Sequence, residues 1–200
     1  MAPHKSVISS HFRMWAATLR APPVSPLFGA SLPDAVPYRN DLRPLGMSGD
    51  DVLYPEAIAS DVDTLRAAYE ALNDGDISAA IDVLDLQAEW HEHSELPEAS
   101  SYHGRDTIRA FLEDFLDSWR DFRQEPEDFV ASGERVAIVL RIQARGKGSG
   151  VEVAARYAHL WTMRDGKGIR VDAFHDADAA LEALRQPPSA TASTLHRNAT

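Results

Sequence analysis

Cysteine is absent from the 200-residue chain, which rules out disulfide staples, a thiolate nucleophile and any cysteine-held zinc or iron–sulfur centre. A reducing compartment is compatible with that composition, and the chain reads as a cytoplasmic protein. Also missing is an apolar run near the ~20 residues that a membrane-spanning helix needs; the longest candidates are broken by Arg, Asp or Pro. No membrane partner is expected. Clustered basic residues are lacking too, since 20 Lys and Arg stand against 31 Asp and Glu for a net charge of −11. A phosphate-binding surface requires such clusters, so nucleic acid is excluded as a partner.

The charge is unevenly spread. Residues 1–46 carry +3, which leaves −14 for residues 47–200, and the first 33 positions hold no acid at all. Eight of the twelve prolines fall in the first 55 residues, with no sustained period of 2 or 3.6. Such a segment reads as a disordered Pro-rich extension over 1–55. Lys5, Arg13 and Arg20 in an acid-free stretch also fit an organelle transit peptide, and a natural start at Met47 is a third reading. The tail over 186–200, QPPSATASTLHRNAT, reads as a second disordered end.

Between them lies one domain, residues 56–185, long enough to bury a core. Ser60 or Asp61 can cap a helix whose Val62, Leu65, Tyr69 and Leu72 recur at helical spacing, with Asp74-Gly75 as its stop. Asp76 can cap a short second helix with Ile77, Ala80, Ile81 and Leu84 on one side. After Gly104, the residues Ile108, Phe111, Leu112, Phe115, Trp119 and Phe122 continue one apolar stripe, predicting a third and longer helix. The β-branched and aromatic runs Phe129 to Ala131, Val136 to Ala144, Val151 to Arg164 and Ile169 to His175 are separated by SGE, GKGSG and RDGKG. Such short turn-rich connections predict an antiparallel meander. With a strand over Leu86 to His93 and a closing helix over Asp178 to Leu184, the fold class is α+β, a sheet curled around the long helix.

The stretch EWHEH at 89–93 carries the chemistry. Alternation places Leu86, Ala88, Trp90 and Glu92 on one face of a strand and Gln87, Glu89, His91 and His93 on the other. The second set reads as a solvated face. Glu92 then stands as an acid on the core side beside an indole, where burial would favour its protonated form and fit it for proton transfer; the plainer alternative leaves it in water at the strand end. His91-x-His93 followed by Glu98 has cupin-like metal-ligand spacing. However, Asp85 stands where a glycine is wanted and no second histidine motif follows, so no metal site is expected. On the long strand Tyr157, His159, Trp161 and Met163 share a face, as do Val171, Ala173 and His175 on the last strand.

The order LRAAYEALNDGDISAAIDVLD, AEWHE, YHGRDTIRAFLEDF, YAHLWTMRDGKGIRVDAFHD and AALEAL resembles the SnoaL-like polyketide cyclase group of the nuclear transport factor 2-like superfamily, which also contains ketosteroid isomerase. The resemblance spans about residues 58–185. It rests on GD after the first helix, GRD opening the third and RDGK between the last strands. It implies a cone-shaped curved antiparallel sheet capped by three helices, with an apolar pocket between them, and a homodimer formed through the sheet's outer face. The isomerase's carboxylate base works beside a protonated acid in an apolar oxyanion hole. Its base position corresponds here to Glu92 and its acid position to His159, while Tyr69 stands one residue out of register with its helix tyrosine, which argues against steroid isomerisation itself.

The resemblance further implies a cofactor-free isomerase, cyclase or dehydratase moving a proton on an apolar carbonyl compound. Glu92 and His159 would be catalytic, Tyr69, Trp90, Phe111, Phe115 and Trp161 would line the pocket, and His175 would stand at its mouth. The alternative is a non-catalytic dimeric module that binds an apolar small molecule or another protein, since one scaffold hosts many uses.

Overall fold

The computed structural model of the chain describes residues 42–44, 56–93 and 101–186. Helix α1 (Glu56–Asn73) buries Val62, Leu65 and Tyr69 along the expected stripe. It ends as read. Gly75 adopts φ +82°, and the amides of Gly75 and Asp76 return to the carbonyls of Leu72 and Ala71. That pair of bonds closes a helix on a left-handed residue, a conformation glycine adopts without a Cβ clash. The start differs from expectation: α1 begins at Glu56, and Ser60 accepts from the Thr64 hydroxyl inside the helix at 2.9 Å. Glu56 to Ala59 are good helix formers and Ile58 packs on the core, so the helix runs back past both candidate caps.

Asp76 caps α2 (Ile77–Ile81), accepting from the Ala79 amide at 3.0 Å. Leu84 is not part of that helix; it opens β2 (Leu84–His93), which starts two residues earlier than expected. Leu86 is a correction. Alternation places it on the core face, yet it is 65% exposed. The pairing of β2 slips between Leu84 and Glu89, and a slip of that kind turns a side chain to the other face. The alternation is regular again from Ala88 to Glu92.

A short β3 (Ser101–His103) leads into α3 (Arg105–Asp117), which ends earlier than the apolar stripe suggested. Trp119 and Phe122 belong instead to β4 (Trp119–Ser132), because the Ser118 carbonyl takes the Lys147 amide at 3.0 Å and Trp119 pairs with Gly146. Strands β5 (Arg135–Gly146), β6 (Glu152–Arg164) and β7 (Lys167–Phe174) complete the expected antiparallel meander. The sheet order is β1-β4-β5-β6-β7-β2-β3, with β1 (Leu42–Pro44) parallel to β4 and β2 parallel to β7. That first strand lies within the stretch expected to lack order. The remaining expectations for residues 1–55, and those for 187–200, fall outside the described residues.

The inner face of the sheet carries the main core with α1 and α3, including Leu65, Ile108, Phe129, Ile138, Leu140 and Trp161. The outer face is covered in part by α4 (Ala177–Arg185), whose Leu184 packs on Val130, Ala137 and Leu160. Double coverage explains why β5 is buried without interruption from Val136 to Leu140 and alternates only beyond it. Arg135 fixes the helix end, donating to the carbonyls of Ala183, Leu184 and Gln186. A cation on the last turn satisfies carbonyls left without helical partners. Outside the area under α4, the outer face carries paired charges: Arg141 and Arg156 on Glu127, and Arg123 on Glu125. Among the described residues no helix is long and apolar enough to cross a membrane.

One glycine is required by packing. A Cβ on Gly168 would lie 2.7 Å from Cζ3 and 2.8 Å from Cε3 of Trp161, and the Gly168 amide is bonded to the Val83 carbonyl at 2.9 Å. Neither the backbone nor the indole can yield freely. Gly168→Ala is expected to lose about 1–3 kcal/mol as an overpacked site and to shift tryptophan emission. Denaturant titration that leaves both unchanged would mean the indole is loosely held.

Candidate functional site

Strand registry puts the two predicted catalytic residues in one row. Glu92 pairs with Ala173 on β7, and Ala173 pairs with His159 on β6. In the next row Trp90 pairs with Val171 and Val171 with Trp161. Glu92 and His159 therefore share the inner face of one sheet, two strand spacings apart, roughly 10 Å at the backbone. Between them β7 offers only the small Ala173, so the two bulkier flanks stand over a low floor.

His159 is 4% exposed. Its Nδ1 lies 2.8 Å from the Tyr69 hydroxyl, and that hydroxyl accepts from Trp161 Nε1 at 2.9 Å. An indole N–H can only donate, so the phenol proton is left for the imidazole. Nδ1 is then the acceptor and the ring proton sits on Nε2, an assignment that follows from satisfying all three buried groups. Among the described residues Tyr69 is the only hydrogen-bond partner of this ring. Trp90 and Tyr157 flank it edge to face at centroid distances of 4.9 and 5.0 Å.

Burial holds the His159 imidazole far below its ordinary range, down to about 3, so the ring is neutral at physiological pH. Burial likewise raises the Tyr69 phenol, against the smaller opposing effect of the Trp161 bond. A stability slope follows. Above the ordinary value of 6.5 the imidazole is neutral folded or unfolded; below it the unfolded chain binds a proton that the folded chain refuses until pH approaches 3. Stability from this residue is thus lost as pH falls through that window, by up to about 1.4 kcal/mol per pH unit. His159→Gln is expected to reduce the measured slope between pH 6 and 4 by up to about one proton's worth. Equal slopes in parent and variant would mean that the ring protonates in place.

Glu92 is half-buried, and its Oε1 accepts from Trp90 Nε1 at 2.5 Å. The indole therefore orients the carboxylate on the inner face. The face expected to be solvated carries paired polar groups: the half-buried His91 bonds Ser101 and Glu89, His103 approaches Glu89, and Arg170 holds the buried Asp172 through two nitrogens. The side chain of His93 lies outside the described residues, as does Glu98. Among the described residues no His, Asp and Glu cluster could hold a metal ion.

Trp90 meets Phe111 on α3 at 6.1 Å between centroids, so the helix supplies the wall opposite the sheet. Phe115 is one turn further on, its ring 6.1 Å from those of both Phe111 and Trp119 and 5.3 Å from Phe122, and it also packs on the cluster with Ile142 and Ala144. His175 is half-buried just beyond β7, and burial lowers its pKa; among the described residues it has no hydrogen bond or ion pair and does not join the His159 chain. Two residues were not singled out from the sequence. Tyr102 stacks on Phe111 at 4.2 Å. Tyr157 lies between His159 and the Phe115 cluster, keeps part of its surface accessible, and feels both Tyr69 and Glu92 electrostatically. The alternation Tyr157, His159, Trp161 on β6 was the available signal for the latter. Glu92, Phe111, Leu112 and Tyr157 belong to the inner side yet remain partly accessible.

The family model described as a SnoaL-like domain matches residues 65–171. Among solved structures, an NTF2-like protein of unknown function from Burkholderia pseudomallei K96243 aligns at 19% identity and a TM-score of 0.53, covering 64% of this chain and 98% of that one. TerC, solved in co-crystals with polyporic acid, aligns at 23% identity and 0.52, covering 64% and 99%. An NTF2-like protein from Burkholderia xenovorans LB400 aligns at 24% and 0.51, covering 63% and 96%. At such identities the likeness establishes the fold. No curated protein matches the chain.

Proposed function

Because the chain belongs to the SnoaL-like domain family, we propose that it is a cofactor-free acid–base protein that moves a proton on an apolar carbonyl compound. The observation carrying this reading is the single row of Glu92, Ala173 and His159 on the inner face. A ring ketone seated over Ala173 would place its α-carbon toward the Glu92 carboxylate and its oxygen toward His159 Nε2–H. Glu92 takes the α-proton, the C–H electron pair becomes the enolate double bond, and the carbonyl π pair moves onto the oxygen that the imidazole holds. Where the ketone carries a β,γ double bond, return of the proton from Glu92 to the γ-carbon gives the conjugated isomer. Where the molecule carries a second carbonyl, attack of the enolate carbon on it closes a ring, the π pair of that carbonyl moving to its oxygen, which takes the proton back from Glu92. A neutral imidazole suits the donor role, since its N–H stabilises the developing oxyanion without having to be charged first. Trp90 and Phe111 supply apolar walls.

One observation favours binding without turnover: a carboxylate committed to an indole N–H at 2.5 Å is less free to accept a proton from carbon. A homodimer through the sheet would use the outer face left open by α4. That area is laced with Arg–Glu pairs and would give a salt-sensitive contact. The test of the catalytic reading is solvent deuterium exchange into 2-tetralone and related cyclic ketones. Uptake faster than in buffer supports it; buffer-rate uptake across the series leaves the binding reading.

A further inference from the structure

We infer that the Tyr157 hydroxyl is a second hydrogen-bond donor to the ligand oxygen, beside His159 Nε2–H, so that the site selects ligands carrying a carbonyl or enolate oxygen on a ring frame. The inference rests on the proton-transfer reading above and adds a residue that neither the family resemblance nor the site expectations supplied. Tyr157 and His159 are two apart on β6 and share the inner face, with their rings edge to face at 5.0 Å. The two differ in one respect. His159 has its Nδ1 satisfied by Tyr69, whereas among the described residues the Tyr157 hydroxyl has no hydrogen-bond partner at all.

A phenol set deep between two aromatic clusters usually finds a partner. This one, partly buried against both clusters, instead keeps some accessible surface. Glu92 and Tyr69 both disfavour its ionisation, as burial does to a greater degree. It therefore stays a neutral donor at any pH at which the protein would work. Two neutral donors meeting one oxygen stabilise an enolate without adding a buried charge. The arrangement also discriminates: a ligand that lacks the oxygen leaves both donors unpaired.

The test uses the full chain and two probes of equal shape, 2-naphthol and naphthalene, titrated by fluorescence. Tyr157→Phe is expected to weaken 2-naphthol about tenfold, the worth of one such bond, and to leave naphthalene within about twofold. Its melting temperature should not fall, because removing a hydroxyl without a partner orphans nothing; a structural role would lower it. If His159→Gln weakens 2-naphthol and Tyr157→Phe does not, the second donor is rejected and the proton-transfer site stands. If neither variant changes the preference for naphthol over naphthalene, or neither probe binds the parent, the site reading falls together with this inference.

Discussion

Tyr69→Phe is expected to destabilise the protein by about 2–4 kcal/mol, because it strands two buried groups at once, each worth about 1–3 kcal/mol unpaired. The hydroxyl accepts from Trp161 Nε1 and donates to His159 Nδ1, and all three residues are buried. Phenylalanine keeps the packing and removes only that junction, leaving an indole N–H without an acceptor and an imidazole nitrogen without a donor. For a domain of this size the melting temperature should fall by roughly 5–15 °C. The imidazole, freed from the Tyr69 hydroxyl, can also adopt the other tautomer, so any donor role of Nε2 should weaken. Equilibrium unfolding in denaturant measures the first effect. A change below about 0.5 kcal/mol, the level of an ordinary surface substitution, would mean that water or the neighbouring rings replace the phenol and that the chain of bonds does not fix the histidine.

Tyr69 also illustrates what local sequence can and cannot tell. Its place on the buried stripe of α1 was legible from the 3.6-residue period, as was the helix stop at Gly75. Its bond to a residue 90 positions away was not, because the contact depends on how the sheet packs under the helix, which no local pattern encodes. Matched one residue out of register with a family tyrosine, it nevertheless reaches the histidine.

The same division runs through the fold. The meander was legible because SGE, GKGSG and RDGKG punctuate apolar runs, and the strands meet there in antiparallel pairs. The end of α3 was not legible: Trp119 and Phe122 keep the helical phase by coincidence, while the pairing of Trp119 with Gly146 is what stops the helix. The full length of β4 was also hidden. Its first half, RDFRQEPED, is polar and contains Pro126, which speaks against a central strand. Among the described residues that half of β4 pairs with β5 alone, and a register shift between Pro126 and Asp128 accommodates the missing N–H. The parallel pairing of β2 with β7 leaves no local trace because nothing in the sequence near either strand encodes it.

For the site, alternation grouped Trp90 with Glu92 and His159 with Trp161 but left open which face of the long strand turns inward; the family resemblance favoured the face bearing His159, and the register agrees. Alternation misplaced Leu86, where a bulge breaks the period. The single row linking Glu92 to His159 through Ala173 became visible only with the pairing partners in hand.

That row leads to the second large effect, which is also the most direct test of proton transfer. Glu92→Gln keeps the size and a hydrogen-bond acceptor for Trp90 Nε1 but removes the base, so it is expected to slow solvent deuterium exchange into 2-tetralone by about 10²–10⁴-fold. Binding of the ketone should change much less. Exchange rates for parent and variant, measured by mass spectrometry on protein whose unfolding midpoints agree, decide the matter. The account predicts rapid exchange in the parent and near-buffer exchange in the variant; a glutamine protein that exchanges at the parental rate would contradict it.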